Sequence, residues 1–165
     1  MYDETPLYEF RGPWGVLVQV GPSIVFLALI FVSFSTDPVD LYYSVIFLGL
    51  VIISIYLHEL GHAWGCLVQG VAVRRVMIYG GGGFCEHARS PGPREDELIV
   101  VMGPLVTLAV WAIAGLAAPV MGDGDLRWAV ETLSWLHLYL AVFNLIPEMP
   151  LDGGELFQLM VLRVL

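Results

Sequence analysis

The chain has 165 residues, 58% of them apolar and only 14% charged, where soluble domains carry about a quarter charged. A soluble domain of this length has no interior large enough for that apolar surface, so the composition points to a membrane protein. A net charge of −9, with seven arginines and no lysine, excludes nucleic acid as a partner, because phosphate contacts need a basic face. Two cysteines, Cys66 and Cys85, make no disulfide framework.

In chain order, four stretches are long and apolar enough to cross a bilayer, which takes about 20 residues. Residues 16–34 carry no charge, 41–73 only Glu59, 98–122 none, and 128–147 only Glu131. The residues before the first stretch (Asp3, Glu4, Glu9, Arg11) are net acidic, unlike a signal peptide. Residues 153–165 read as the opening of a fifth helix, reaching only about 20 Å, which suggests the front part of a longer protein. Residues 1–165 are expected to form a single membrane-embedded core: an all-α polytopic membrane protein with at least four transmembrane helices. Arg74, Arg75, Arg89 and Arg94 lie between the second and third spans, and Arg11 precedes the first. The positive-inside rule then places the N-terminus and that connection on the cytoplasmic side, in the cell membrane of a prokaryote.

That connection, residues 70–97, is the only long one. Val71-Ala72-Val73 and Val76-Met77-Ile78-Tyr79 are β-prone, and Gly80-Gly81-Gly82-Gly83 follows. The expectation is a small membrane-associated β element between helices two and three. The four glycines read either as a flexible turn or as a strand edge that another backbone can approach closely.

The second span contains His58-Glu59-Leu60-Gly61-His62, an H-E-x-x-H motif inside a helix. Residues four apart share a helical face, so both imidazoles can reach one metal with Glu59 beside them. Zinc accepts imidazole nitrogen in tetrahedral geometry and keeps a position for water when the protein gives three ligands; Glu59 is then the general base. Ionisable groups inside a bilayer are costly and mark function. A third ligand follows from depth. His58 lies 17 residues past Leu41 and Asn144 lies 16 past Trp128, so both sit roughly 25 Å from the face where their spans begin. Pro147 and Pro150 must break the fourth helix there, and non-helical backbone at that depth lines a wet cavity or is buried in protein. Asp152 follows, an acid that needs a cation, with Gly153-Gly154 giving the chain freedom to turn.

His58-Glu59-Leu60-Gly61-His62 together with Asn144-Leu-Ile-Pro147-Glu-Met-Pro-Leu-Asp152-Gly153 resembles the site-2 protease family of intramembrane metalloproteases, whose pairing is H-E-x-x-H followed by N-x-x-P-x-x-x-x-D-G. Met102-Gly103-Pro104-Leu105 resembles the family's Gly-Pro helix start, with Thr107 where the family often has Asn. The Gly80 to Gly83 run stands where the family has a membrane-associated β element thought to pair with substrate. The resemblance spans residues 45–160. It implies one Zn2+ per chain and a metalloendopeptidase that cleaves within or next to transmembrane segments of membrane-protein substrates, followed by further gating helices. It also implies a bilayer setting and leaves room for a regulatory membrane protein.

His137, seven residues before Asn144, lies on a polar stripe with Glu131 and Ser134; it is either a group that supports the ligands or a packing residue. Asn144 either holds substrate backbone or the oxyanion, or caps freed carbonyls. Cys66 reads as small apolar filler, and His87 as a surface histidine. The reading from another class is a non-catalytic zinc-binding membrane protein that regulates or escorts partners. A metal transporter would show repeated halves, and none is present.

Overall fold

The computed structural model describes residues 5–33 and 36–164. Two short strands, β1 (Tyr8–Arg11) and β2 (Leu17–Val20), precede a short helix α1 (Val25–Phe31) and the long helix α2 (Pro38–Val68). A hairpin of β3 (Val73–Tyr79) and β4 (Gly82–His87) leads to α3 (Pro93–Ala117), α4 (Asp125–Asn144) and α5 (Asp152–Val164).

The architecture is mostly helical with one small mixed sheet of order β1-β2-β3-β4. The β3–β4 hairpin lies between α2 and α3 in the chain, where a β element was expected. Its pairing with N-terminal strands was not expected. Strands β1 and β2 are antiparallel, β2 runs parallel to β3 (Val18 opposite Val76), and β3 and β4 are antiparallel (Val76 opposite Cys85). Val18, Val76 and Ile78 bury one face of the sheet against Leu27, Ile55 and Ala63.

Residues 16–33 therefore do not form one continuous spanning helix, and residue 34, the last of that stretch, lies outside the described residues. They divide into β2, a 3-10 turn at Pro22–Ile24 and the seven residues of α1. The apolar run reflects burial of β2 in a sheet, together with a short helix that buries Leu27 and leaves Val25, Phe26, Leu29 and Ile30 on the surface of the chain. Among the described residues, two helices are long and apolar enough to cross a bilayer, Pro38–Val68 and the helical stretch Pro93–Val120. Helix α4 has 20 residues but is more polar, with a first turn starting at Asp125.

Helix α2 starts where Asp37 accepts a hydrogen bond from the Val39 N–H (2.8 Å) and Pro38 sets the first turn. Its 31 residues extend for about 46 Å at 1.5 Å each. It ends at Gly70, whose φ of +70° suits glycine, and the Val71 N–H returns to the Cys66 carbonyl. The half from Ser54 to Cys66 holds all its buried residues. Helices α2 and α4 run side by side in the same direction: Tyr42 and Tyr43 donate to Asp125 where both begin (3.1 and 2.8 Å). The end of α4 at Asn144, 19 residues past Asp125, therefore comes level with the turn of α2 that carries His58 to His62, while α2 continues to Val68.

Glycine sets the contact between α2 and α3. A Cβ at Gly61 would lie 2.6 Å from the Met102 carbonyl, and one at Gly65 3.0 Å from Ile99 Cα. This Gly-x-x-x-Gly spacing overlaps the H-E-x-x-H motif and lets the α3 backbone press against it.

Candidate metal centre

The turn of α2 that carries the motif is buried: His58, Glu59 and His62 are each less than a tenth exposed. Asp152, the first residue of α5, completes the cluster. His58 Nε2 lies 3.1 Å from Asp152 Oδ2, His62 Nε2 lies 3.4 Å from Asp152 Oδ1, and the two Nε2 atoms are 3.1 Å apart.

The far nitrogens of both rings are engaged by α3. His62 Nδ1 meets the Ile99 carbonyl at 2.8 Å, and an acceptor there requires the proton on Nδ1. His58 Nδ1 meets Thr107 Oγ1 at 2.9 Å, while that hydroxyl donates to the Gly103 carbonyl (2.9 Å), so it accepts from His58. With both protons on Nδ1, both Nε2 atoms present lone pairs to each other and to a carboxylate. Asp152 Oδ2 has no hydrogen-bond donor among the described residues.

Three converging acceptors with no proton between them repel unless a cation sits among them. Around zinc with bonds of about 2.0–2.1 Å, tetrahedral ligand atoms stand about 3.3–3.4 Å apart. The three separations, 3.1, 3.1 and 3.4 Å, are close to that spacing, the two to Asp152 being measured to different oxygens of its carboxylate. The donor set, two imidazoles and one carboxylate, is that of a zinc site with room for one more ligand.

Glycines shape the rest of the pocket. A Cβ at Gly103 would run into the His62 ring, and one at Gly83 would lie 2.5 Å from Glu59 Cγ. Gly153 and Gly154 fit against the backbone of residues 145–149, where a Cβ has no space. They let the loop fold back onto the start of α5 and set Asp152 under the histidines; the reason is close packing more than freedom to turn.

Glu59, Asn144 and Gly81 to Gly83 line one cavity of about 270 Å³ with His58 and Asp152. Asn144 Nδ2 donates to the Leu140 carbonyl (2.9 Å), so its amide caps the helix end while the residue faces the cavity. Gly80 packs on the Ser23 backbone, outside that lining. His137 is fully buried, but neither ring nitrogen has a hydrogen-bond partner among the described residues, and it stands outside the donor cluster. Cys66 is buried in a small apolar cluster with Val71 and Ile99, as filler would be. His87 lines a second, polar recess with Glu59, His62 and Asp152, closer to the centre than a surface residue. Thr107, which the sequence offered only as a departure from a motif, is the residue joined to His58; its position four after Gly103 was the available signal.

No protein-family model matches the chain. Several curated relatives are named as zinc metalloproteases. Zinc metalloprotease MJ0392 of Methanocaldococcus jannaschii is 29% identical over 147 residues, 87% of this chain and 42% of that protein. Putative zinc metalloprotease sll0528 of Synechocystis is 32% identical over 119 residues, 70% of this chain and 31% of that protein. The chain thus spans less than half the length of these curated relatives. In structure it is similar to the site-2 protease from Methanocaldococcus jannaschii, with a TM-score of 0.76 over 93% of this chain and 72% of that one, at 24% identity. Sequence and fold agree on the site-2 protease family of zinc metalloproteases as the class to which this chain is related.

Proposed function

We propose that the chain is the core of a zinc-dependent endopeptidase that cleaves membrane-protein substrates within or beside their transmembrane segments. The observation that carries the reading is the convergence of His58, His62 and Asp152, with the buried Glu59 lining the cavities on which they open. Zinc held by these three residues would supply Lewis-acid polarisation of the scissile carbonyl and a water of lowered pKa. Glu59 takes the proton from the attacking water and returns it to the leaving amine nitrogen. The α3 contacts to the two Nδ1 atoms keep both Nε2 lone pairs aimed at the ligand position. Asn144 borders the same space, which supports a role in holding substrate backbone besides its cap to the Leu140 carbonyl.

Substrate access is supported by the surrounding shape. An apolar groove of about 610 Å³ between α1, α2 and α4 shares Ile55, Gly81, Gly82, Leu140 and Phe143 with the site cavity. A helix hides its carbonyls in its own hydrogen bonds, so the segment must enter extended. Strand β4 is an edge of the sheet and offers that segment a backbone to pair with. In this reading the chain is a multi-pass protein with more than the two clear spans, its N-terminus and metal centre toward the cytoplasm.

The deciding experiment compares wild type and Glu59→Gln, each with zinc, on a co-reconstituted single-span substrate. Glu59→Gln is expected to bind about one zinc per chain and to lose turnover. Cleavage at the wild-type rate by that variant would overturn the mechanism. A wild type that binds zinc but cleaves no membrane-embedded substrate would favour the non-catalytic, partner-regulating reading.

A further inference from the structure

One stripe of α3 faces the metal centre: Ile99, Gly103 and Thr107, spaced four apart and therefore stacked on one face. Each does something different there. The Ile99 carbonyl takes the His62 Nδ1 proton, Gly103 makes room for the His62 ring, and Thr107 accepts from His58. The Ile99 contact belongs to the backbone and cannot be lost by substitution. The His58 contact depends on a single side chain.

Thr107 is fully buried, and its hydroxyl is spoken for in both directions, toward the Gly103 carbonyl and toward His58. Donation to Gly103 leaves only lone pairs facing the imidazole. The hydroxyl thus acts as a fixed acceptor, which selects the Nδ1–H tautomer and holds the ring plane. Remove it, and the buried Nδ1–H has no partner. The ring can then exchange its proton to Nε2, the atom that faces Asp152, and the metal must compete with it.

We infer that Thr107 is a positioning residue for the metal centre: through His58 it sets the tautomer and orientation that zinc binding requires. The inference rests on the zinc reading above, and its test separates the two. Zinc and cobalt affinities of the full chain in detergent would be measured by chelator competition for wild type, Thr107→Val and Thr107→Ser. Valine keeps the branched shape and removes the acceptor; serine keeps the acceptor. Thr107→Val is expected to bind zinc 10–100-fold more weakly, the usual effect of losing a partner to a ligating histidine, with an altered visible spectrum of the cobalt form. Thr107→Ser is expected to stay within about threefold of wild type on the same scale.

Wild-type affinity and an unchanged cobalt spectrum in Thr107→Val would overturn the role of Thr107 and leave the zinc site standing. Equal loss in the serine variant would overturn it too, since the hydroxyl is then not what matters. A wild-type chain without zinc affinity would instead overturn the proposed function. If valine lowers helix content, Thr107→Ala makes the same comparison without added methyl bulk.

Discussion

The place of Gly83 is fixed by Glu59. An added methyl there would lie 2.5 Å from Cγ and 2.8 Å from Oε1 of the proposed general base, so one must shift. The donor residues are His58, His62 and Asp152, and Gly83 is not one of them. Gly83→Ala is therefore expected to keep zinc and to lower kcat about 100-fold, the scale of a misplacement near 1 Å in a catalytic group. A variant with wild-type kcat would mean that β4 can yield and that Glu59 keeps its place. Asp152→Ala should behave in the opposite way, losing zinc, because two facing imidazole lone pairs alone make a poor site. Stoichiometric zinc at unchanged affinity in Asp152→Ala would remove it from the ligand set.

At the scale of elements, the four glycines of the hairpin divide into separate tasks. Gly82 has φ +127°, which favours glycine at the turn, and Gly80 lies against the Ser23 backbone. An added Cβ at Gly81 would meet the Tyr79 side chain first, 2.7 Å from its ring edge, rather than backbone. Gly81→Val is thus the clean probe of substrate pairing. It should reduce cleavage while zinc content and helix content stay as in wild type, and normal processing would reduce the run to a turn. The hairpin has its own clasp, since Arg74 and Arg75 both donate to Glu86 at 2.7 Å. Partial burial works to raise the Glu86 carboxyl, but the two guanidinium groups outweigh it and hold the group below its ordinary value. A lowered folded value means that the clasp contributes above the unfolded carboxylate range, near pH 4.5, and is lost as pH falls through the folded value. Higher amide protection in β3–β4 at pH 7 than at pH 3, each measured against the intrinsic exchange rate at that pH, with the difference abolished in Glu86→Gln, is the expected result; equal pH dependence of protection in both would remove Glu86 as the cause.

The same scale explains what the sequence could reveal. H-E-x-x-H and the Pro-broken run to Asp152 were legible because a period of 3.6 and the cost of a charge in lipid leave few arrangements. Strand β2 was not, because Leu17–Val20 lies in an uncharged, mostly apolar run and burial on a sheet gives the same hydropathy as burial in lipid. Thr107 was hidden for another reason. A hydroxyl in an apolar helix carries no pattern until the partner helix, brought close by Gly61 and Gly65, sets His58 against it.

For the whole molecule, the donor cluster joins parts that otherwise meet little. His58 and His62 sit on α2, which packs broadly on α3, α4 and the sheet, whereas α5 has substantial packing only against α3. Asp152 opens α5 directly after the loop that ends α4. A metal bound by all three residues therefore ties α5 and the 145–151 loop to the most buried helix. Zinc at 100 times its dissociation constant would stabilise the folded state by about 2.7 kcal/mol. That stabilisation should be felt unevenly, because the sheet and the α2–α3 contact rest on apolar packing and close glycine contacts that need no metal. Chelation is expected to speed amide exchange in residues 145–164 first, with β2–β3 and the α2–α3 contact little changed. Asp152→Ala should show the same fast exchange with zinc present. A uniform rise in exchange across the chain would mean that the metal supports the fold as a whole, and no rise at all would mean that packing on α3 alone holds α5 in place.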